Sequence, residues 1–223
     1  MVNESLFTMG IKPVTSPKRG RKQLRSPNPA VTARVMDAAA ALIREGGFPL
    51  LRVEEVAARA GVSVGTFYLY FEGKDDLFVQ LVVEYTNRLR ASLAAAYAVD
   101  GPFADRMQRA LDAYLDFVEA NEAGFLYFRD SGTVDTTVGR LSTWAASQHA
   151  EDLQPILEQA MAKGEIRRDD TVLLAQATVG LVQHLAGFWL EHRHHCSRGE
   201  LQRFVNQLLM FGSTARSPAP GET

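Results

Sequence analysis

The side chains best suited to chemistry lie together in residues 61–74, and that chemistry is contact with an anion. Four of them carry hydroxyl groups: Ser63, Thr66, Tyr68 and Tyr70. Lys74 adds an amine, and Gly65 lets the backbone approach a partner closely. Hydroxyls and amines of this kind bind phosphate oxygens, and the free amides at a helix start favour the same charge. The segment therefore predicts a surface that contacts a polyanion.

Two short helices joined by a tight turn must position these side chains. Val53–Ala60 and Val64–Phe71 have apolar residues at helical spacing. Gly61 supplies the backbone freedom that the turn needs, and Ser63 is placed to cap the second helix. Phe67 and Phe71 are expected to face the core. The pattern predicts a helix-turn-helix.

A longer helix is predicted just before this pair. Asn28 is a suitable cap and Pro29 a suitable first residue, while Gly46-Gly47 followed by Pro49 ends the pattern. The three helices together make a small compact unit.

The chain before Asn28 is strongly basic. Residues 1–26 carry six Lys+Arg and one Asp+Glu, a net charge of +5, whereas residues 91–223 carry a net charge of −6. Prolines and the absence of periodicity predict a flexible arm over residues 1–27. Its closely spaced cations are Lys18, Arg19, Arg21, Lys22 and Arg25. A basic front on an acidic body suggests that this end meets a polyanion, although a solvated tail without a role remains an alternative.

The rest of the chain predicts an all-α bundle. Helices are expected over residues 74–97, 102–120, 125–130 and 135–163, the last kinked at Pro155, with two more opening near Asp170 and Ser197. No alternating run predicts a strand. The predicted organisation is a basic arm (1–27), a helix-turn-helix domain (28–73), a connecting helix with a helical bundle (74–215) and a disordered tail (216–223).

The stretch Val53–Leu77 resembles the DNA-binding segment of the TetR (tetracycline repressor) family. The resemblance covers about residues 29–80 and rests on the whole of that stretch, which includes Gly61-Val62-Ser63, Thr66-Phe67-Tyr68 and Lys74. The remaining chain matches only in helix count, length and order. The resemblance implies a dimeric regulator of transcription that binds an inverted-repeat DNA operator and a small-molecule effector. A repressor is expected, with an activator as the alternative, because the position of the operator decides between the two.

The resemblance also implies which residues contact DNA. These are Ser63, Val64, Gly65, Thr66, Tyr68, Leu69, Tyr70 and Lys74, with the base contacts mainly at Val64, Gly65, Tyr68 and Leu69. Arg52 departs from the family, which usually has Thr or Ser there as a cap; an arginine cannot cap through an oxygen but can pair with a phosphate.

A second departure concerns base reading. Residues 64–69 contain no Arg, Lys, Asn or Gln, the side chains best suited to bidentate base contacts. Our hypothesis is that discrimination comes partly from the basic arm, in an adjacent minor groove, and partly from DNA shape.

Residues 171–190 contain no charged side chain. That run is long enough to span a bilayer, but Gln176, Gln183 and His184 lie along it and both flanks are charged. We therefore expect a helix buried on nearly all sides. The resemblance implies dimerisation through the last two long helices. The expected interface residues are Ala177, Gly180, Leu181, His184, Gly187, Phe204 and Leu208.

Large side chains in the second half favour an apolar effector cavity, although each alone is more typical of a core. The candidate ligand-binding residues are Phe103, Met107, Tyr114, Phe117, Phe128, Trp144, Gln148, His184 and Phe188. His149 and Gln183 are further polar candidates.

Other chemistries find little support. His192–Cys196 suggests a metal, but Arg193 intervenes at a helix end, so we expect a solvated terminus with no metal or cofactor. The sequence has no His-Glu-x-x-His and no phosphate-binding Gly-rich loop with Lys, so an enzyme is not expected. The single Cys196 excludes an intramolecular disulfide, and no signal-peptide pattern opens the chain, which predicts a cytoplasmic, nucleoid-associated protein. An effector-independent DNA-binding protein with weak sequence preference remains the alternative.

Overall fold

The computed structural model describes residues 28–122, 124–126 and 137–213, with side chains only from residue 140 and up to residue 210 in the last segment. These residues form α-helices and one 3-10 turn and contain no β-strand, which confirms the all-α fold class. The predicted arm 1–27, the tail 216–223 and residues 127–130 of the predicted aromatic helix lie outside this description.

The helices follow the predicted order closely. They are α1 (Pro29–Gly46), α2 (Val53–Ala60), α3 (Val64–Tyr70), α4 (Lys74–Ala98), α5 (Phe103–Ala120), α6 (Thr137–Ala162), α7 (Thr171–Glu191) and α8 (Arg198–Ser213), with a 3-10 turn at Phe48–Leu50. Pro155 lies inside α6, and the helix continues beyond it.

The chain divides into two compact units. Of the described residues, the first unit comprises those within Met1–Thr86 and Asn121–Trp144, and the second comprises those within Asn87–Ala120 and Ala145–Thr223. The division falls inside α4, and Leu77, Val79 and Val82 in the part of α4 that belongs to the first unit are buried.

Helix ends in the first unit form as their sequences predict. The Ala30 amide donates to Asn28 Oδ1 over 3.0 Å, and this side chain caps α1. At the other end, Gly47 has φ 78° and its amide donates to the Ile43 carbonyl. Glycine is required there because a β-carbon is disfavoured at positive φ.

The core of the first unit is small and aromatic. Helix α1 packs on α2, and α2 packs on α3. Phe67 and Phe71 are fully buried, and their ring centroids are 5.2 Å apart. Phe48 of the 3-10 turn contacts Phe78 of α4, with ring centroids 4.4 Å apart. Each buried phenylalanine contributes about 1.5–3 kcal/mol. This packing fixes α3 while leaving its opposite face free.

The second unit is a helical bundle. Helix α5 packs against α7 and α8, and α7 packs against α8. Arg198 of α8 pairs with Asp116 and Glu119 of α5 at 2.6 and 2.7 Å. Ser197 and Glu200 form the predicted capping box at the start of α8, with the Ser197 amide donating to Glu200 Oε2 over 2.8 Å.

Helix α7 differs from its prediction. Only 22% of its most apolar stretch is buried inside the chain, and Leu173 is 68% exposed. The expectation of burial on nearly all sides is wrong for a single chain, because its neighbouring helices leave one face of α7 exposed, including Leu173, Gly180 and Phe188. The absence of charged residues indicates that a helix has apolar surface to bury, but it does not indicate whether the same chain or a second chain buries it. By length and hydropathy α7 also qualifies as a candidate membrane span.

Candidate nucleic-acid interface and ligand cavity

Local sequence determines where α3 begins. Gly61 closes α2 in the left-handed region, with φ 66° and ψ 39°, which reverses the chain at low cost only for glycine. Ser63 then caps α3, because the Thr66 amide donates to its Oγ over 3.0 Å. The predicted turn and cap are both present.

The free face of α3 is largely apolar. Val64, Tyr68 and Leu69 are 37%, 48% and 61% exposed, while Phe67 between them is completely buried. Exposing several large apolar side chains to water together is unfavourable in free energy, so such a face indicates a contact surface. Val64 and Leu69 have the chemistry to pack on thymine methyl groups, and Tyr68 adds a hydroxyl.

The hydroxyls predicted to contact phosphate are already engaged in part. Ser63 Oγ and Thr66 Oγ1 lie 2.8 Å apart, so one of these hydroxyls donates to the other. The half-buried Tyr70 accepts a hydrogen bond from the Asn28 amide over 3.2 Å, which ties the start of α1 to the end of α3. Its own phenolic proton is still available for donation.

The two flanking cations differ in their environment. Lys74 Nζ donates to the Pro49 carbonyl over 3.4 Å and lies 5.2 Å from the Phe48 ring centroid. Arg52 occupies the position before α2, makes no capping hydrogen bond and is exposed, as expected for an arginine there. Arg52 is therefore free to reach an anion, whereas Lys74 is partly engaged by contacts within its own chain.

Residues 28–86 are acidic overall. They carry five Lys+Arg and eight Asp+Glu, a net charge of −3. Arg59 is further neutralised by two bonds of 2.6 Å to the carboxylate of Glu45, and this pairing lowers the pKa of that exposed carboxyl. The basic arm supplies the compensating charge in the sequence.

The segment Gly61-Val62-Ser63-Val64-Gly65 also has the letters of a hydrolase nucleophile elbow, Gly-x-Ser-x-Gly. That motif needs a strand before the serine and a histidine beside it. Here the segment joins α2 to α3, and Ser63 is hydrogen-bonded to Thr66. The letters describe a helix cap.

A cavity of about 600 Å³ lies in the second unit. Residues of α4, α5, α6, α7 and α8 line it, and most of its wall is apolar, with Leu93, Leu111, Leu153 and Val182 among the contributors. This size and lining are typical of small-molecule sites.

The polar part of the wall has a defined charge pattern. Arg90 pairs with both oxygens of Asp152 at 2.6 and 2.7 Å, which raises the pKa of the arginine. Burial lowers the pKa of His149 to about 4, so this histidine is neutral near pH 7. Burial also raises the pKa of Tyr97 to about 12. Arg106 completes the set and is buried.

The predicted ligand-binding residues are distributed differently from the expectation. Met107 and Tyr114 line the cavity. Among the others, Phe103 belongs to the packed core, Trp144 lies in the first unit, and Gln148 bonds to Arg90 and Glu151. Phe117 is half-buried on α5, His184 and Phe188 are exposed on α7, and Phe128 lies outside the described residues.

Sequence reasoning missed Arg90, Arg106 and Asp152 as cavity residues. One signal was available, because Arg106 shares a helical face with Ala110 and Tyr114. Arg90 and Asp152 lie on helices far apart in the sequence, so no local sequence pattern predicts that they pair.

Most predicted dimer residues lie at the surface of the single chain. Ala177, Gly180 and His184 are exposed along one face of α7, and Leu181 is half-buried. Phe204 and Leu208 are 54% and 45% exposed on α8. Gly187 is instead buried within its own chain.

The histidine-rich end of α7 is exposed, as expected. His192 stacks on Phe188 with ring centroids 4.5 Å apart. Among the described residues no group of three or more His, Cys, Asp or Glu is arranged to hold a metal.

The sequence is similar to those of known DNA-binding regulators. The family model for bacterial regulatory proteins of the tetR family matches residues 35–81. The HTH-type transcriptional regulator YdgC of Bacillus subtilis is 24% identical over 70% of this chain and 80% of its own length. The HTH-type transcriptional repressor KstR of Mycolicibacterium smegmatis is 30% identical over 56% of this chain and 66% of its own.

The fold has close structural counterparts. The transcriptional regulator FadR of Bacillus subtilis, solved in complex with stearoyl-CoA, superposes with a TM-score of 0.71 at 20% identity, covering 81% of this chain and 98% of FadR. With the helix-turn-helix in residues 53–70 and the matching family model, the chain belongs to the TetR family of bacterial DNA-binding transcriptional regulators.

Proposed function

We propose that this chain is a dimeric, sequence-specific regulator, acting as a repressor that a small apolar effector releases from DNA. The observation that carries the proposal is the exposed face of α3, where Val64, Tyr68 and Leu69 project from a helix capped by Ser63. A recognition helix presents such N-terminal side chains to base edges in the major groove.

Dimerisation is supported by the uncovered apolar faces of α7 and α8. Leu173, Phe188, Phe204 and Leu208 are large apolar side chains exposed on these two helices. A second copy of the same pair buries them in a two-fold four-helix contact. Two recognition helices then read half-sites about 34–36 Å apart, which one short helix cannot do alone.

The effector site is proposed to be the cavity of the second unit. The FadR structure holds stearoyl-CoA, whose long acyl chain supports an apolar effector here. Helix α4 begins in the first unit, and its later residues Asn87, Leu93 and Tyr97 line the cavity. Because α4 directly follows α3 in the chain, an occupant that shifts the later half of α4 can change the position of α3. The effector then releases DNA if it binds more tightly to the conformation that does not bind DNA than to the one that does.

The basic arm is proposed to supply phosphate contacts. Residues 28–86 carry a net charge of −3, and residues 64–70 contain no cation. Phosphate neutralisation by Lys and Arg provides most of the sequence-independent affinity for DNA. The five clustered cations between Lys18 and Arg25 are the nearest source of that charge along the chain.

Selection of genomic fragments by the purified full-length protein at near-physiological salt tests the proposal. We expect recovery of fragments that share an inverted repeat. Unpatterned recovery that is lost steeply as salt rises would overturn sequence specificity and favour a protein that reads only the backbone. Position of the repeat over or upstream of a promoter separates repression from activation.

A further inference from the structure

We propose that the effector of this cavity is an amphiphile with a single oxyanionic head group, and that Arg106 binds that group. The inference rests on the proposed function of the cavity and deepens it by naming the head-group chemistry and the residue that selects it.

The first step is the burial of an uncompensated charge. Arg106 is only 7% exposed and lines the cavity. Its Nε donates to the Tyr97 carbonyl over 3.0 Å, and its Nη1 donates to Gln159 Oε1 over 2.8 Å. Both acceptors are neutral. Among the described residues Arg106 has no carboxylate partner. An arginine keeps its charge in proteins, and a buried charge is normally paired.

The second step is the charge balance of the whole wall. Three charged residues line the cavity: Arg90, Arg106 and Asp152. Arg90 and Asp152 neutralise each other through two hydrogen bonds. His149 adds no charge near neutral pH. The lining therefore has a net charge of +1, and that charge belongs to Arg106.

The third step is geometry. Two of the guanidinium nitrogens of Arg106 are held by protein oxygens, which orients the planar group before any ligand arrives. Its Nη2 makes no hydrogen bond to the described residues. A guanidinium held in this way presents donors that suit carboxylate and phosphate oxygens. The remaining wall of leucine, valine, methionine and isoleucine suits an alkyl or other apolar body.

Matched twelve-carbon probes test the inference on the full-length protein, at concentrations below self-association. Calorimetric affinities are measured for dodecanoate, dodecyl phosphate, 1-dodecanol and dodecylamine. We expect the two anions to bind at least tenfold more tightly than the alcohol, and the amine to bind most weakly. The ratio of the two anions distinguishes a carboxylate from a phosphate head group.

Variants assign the preference to one residue. Arg106→Gln is expected to bring the anions and the alcohol to equal affinity, and Arg106→Lys to keep part of the preference. Arg109→Gln is the matched control, since Arg109 lies on the same helix and donates to a backbone carbonyl, that of Val99, but does not line the cavity. That variant should retain the full preference.

The outcomes separate this inference from the proposed function. Dodecanol binding as tightly as dodecanoate in the unmodified protein overturns the anionic head group and leaves an apolar effector site intact. Retention of the preference in a folded Arg106→Gln protein overturns the role of Arg106. If no probe binds, the effector cavity fails together with the inference. The probe series uses the unmodified protein, so it tests the anionic head group even if Arg106→Gln does not fold. In that case Arg106→Lys tests the role of Arg106.

Discussion

Burial determines the charge of His149 and links one residue to the stability of the second unit. The imidazole lies in the cavity wall, and desolvation lowers its pKa to about 4; the nearby charge of Asp152 acts in the opposite direction and that of Arg90 in the same direction. Its Nε2 is buried without a hydrogen-bond partner in the described structure. Protonation of this side chain in the folded state is therefore unfavourable.

The expected consequence is a loss of stability in acid. Because the folded pKa lies below the unfolded value of about 6.5, the unfolded chain binds the proton more readily. The contribution of His149 is complete above pH 6.5 and falls toward pH 4, by at most about 1.4 kcal/mol per pH unit. Denaturant unfolding of His149→Gln at pH 7 and pH 5 should show a smaller pH effect than the unmodified protein. His194→Gln, at an exposed site after the end of α7 and outside the proposed dimer contact, serves as the control; an equal pH effect in all three proteins contradicts this prediction.

The proposed recognition surface on α3 is also expected to depend on single residues. Leu69 is 61% exposed, so Leu69→Ala removes little folded packing. We expect an unchanged free energy of unfolding and a DNA affinity weakened by about 1 kcal/mol, or roughly fivefold, through loss of an apolar base contact. Fluorescence anisotropy on recovered DNA measures the change.

The matched control is Leu50→Ala. Leu50 is 71% exposed in the same unit but lies in the 3-10 turn outside the proposed contact. Equal weakening by both substitutions would contradict the assignment of Leu69 to the DNA surface.

At the scale of helices, the sequence was most informative where structure is local. Asn28, Ser63 and the Ser197–Glu200 pair cap helices as predicted, because capping depends on residues within one turn. The cavity wall was predicted poorly. Arg90 and Asp152 come from different helices, and their meeting depends on how those helices pack. Phe103 and Trp144 resembled cavity residues because large aromatic side chains fill cores and cavities alike.

Helix α7 allows a test of the proposed dimer contact that does not disturb the fold. A β-carbon at Gly180 meets no atom within 4 Å, so a side chain there projects into open space from a single chain. We expect Gly180→Arg to keep its helical content but to become monomeric, since two bulky like charges would face each other near the two-fold axis. Light scattering after size exclusion measures the mass, and DNA affinity should fall at least tenfold.

Ala162→Arg provides the comparison, since Ala162 is exposed at the end of α6 and outside the proposed contact. It should remain dimeric. A dimeric Gly180→Arg protein would place the contact elsewhere on the molecule.

At the scale of the whole molecule, charge is divided along the chain. The positive charge lies in residues 1–26, while residues 91–223 carry a net −6. An acidic body repels DNA, so it favours binding through the end that carries the cations.

Deletion of residues 1–27 should therefore weaken DNA binding and reduce its salt dependence. Each lost phosphate contact lowers the slope of log affinity against log salt by about 0.9. Engagement of several arm cations predicts a reduction of several units, measured by anisotropy between low and near-physiological salt. A deletion protein with unchanged affinity, slope and sequence preference would show that the arm has no role in binding.

Hydroxyl-radical footprinting of the full-length protein on a recovered genomic fragment shows whether a dimer reads DNA through α3. We expect two protected half-sites related by an inverted repeat, with centres about 34–36 Å apart, because two copies of α3 enter successive major grooves. Gly180→Arg should lose this paired pattern. A single protected site, or uniform protection without half-sites, would contradict a dimeric regulator that reads DNA through α3.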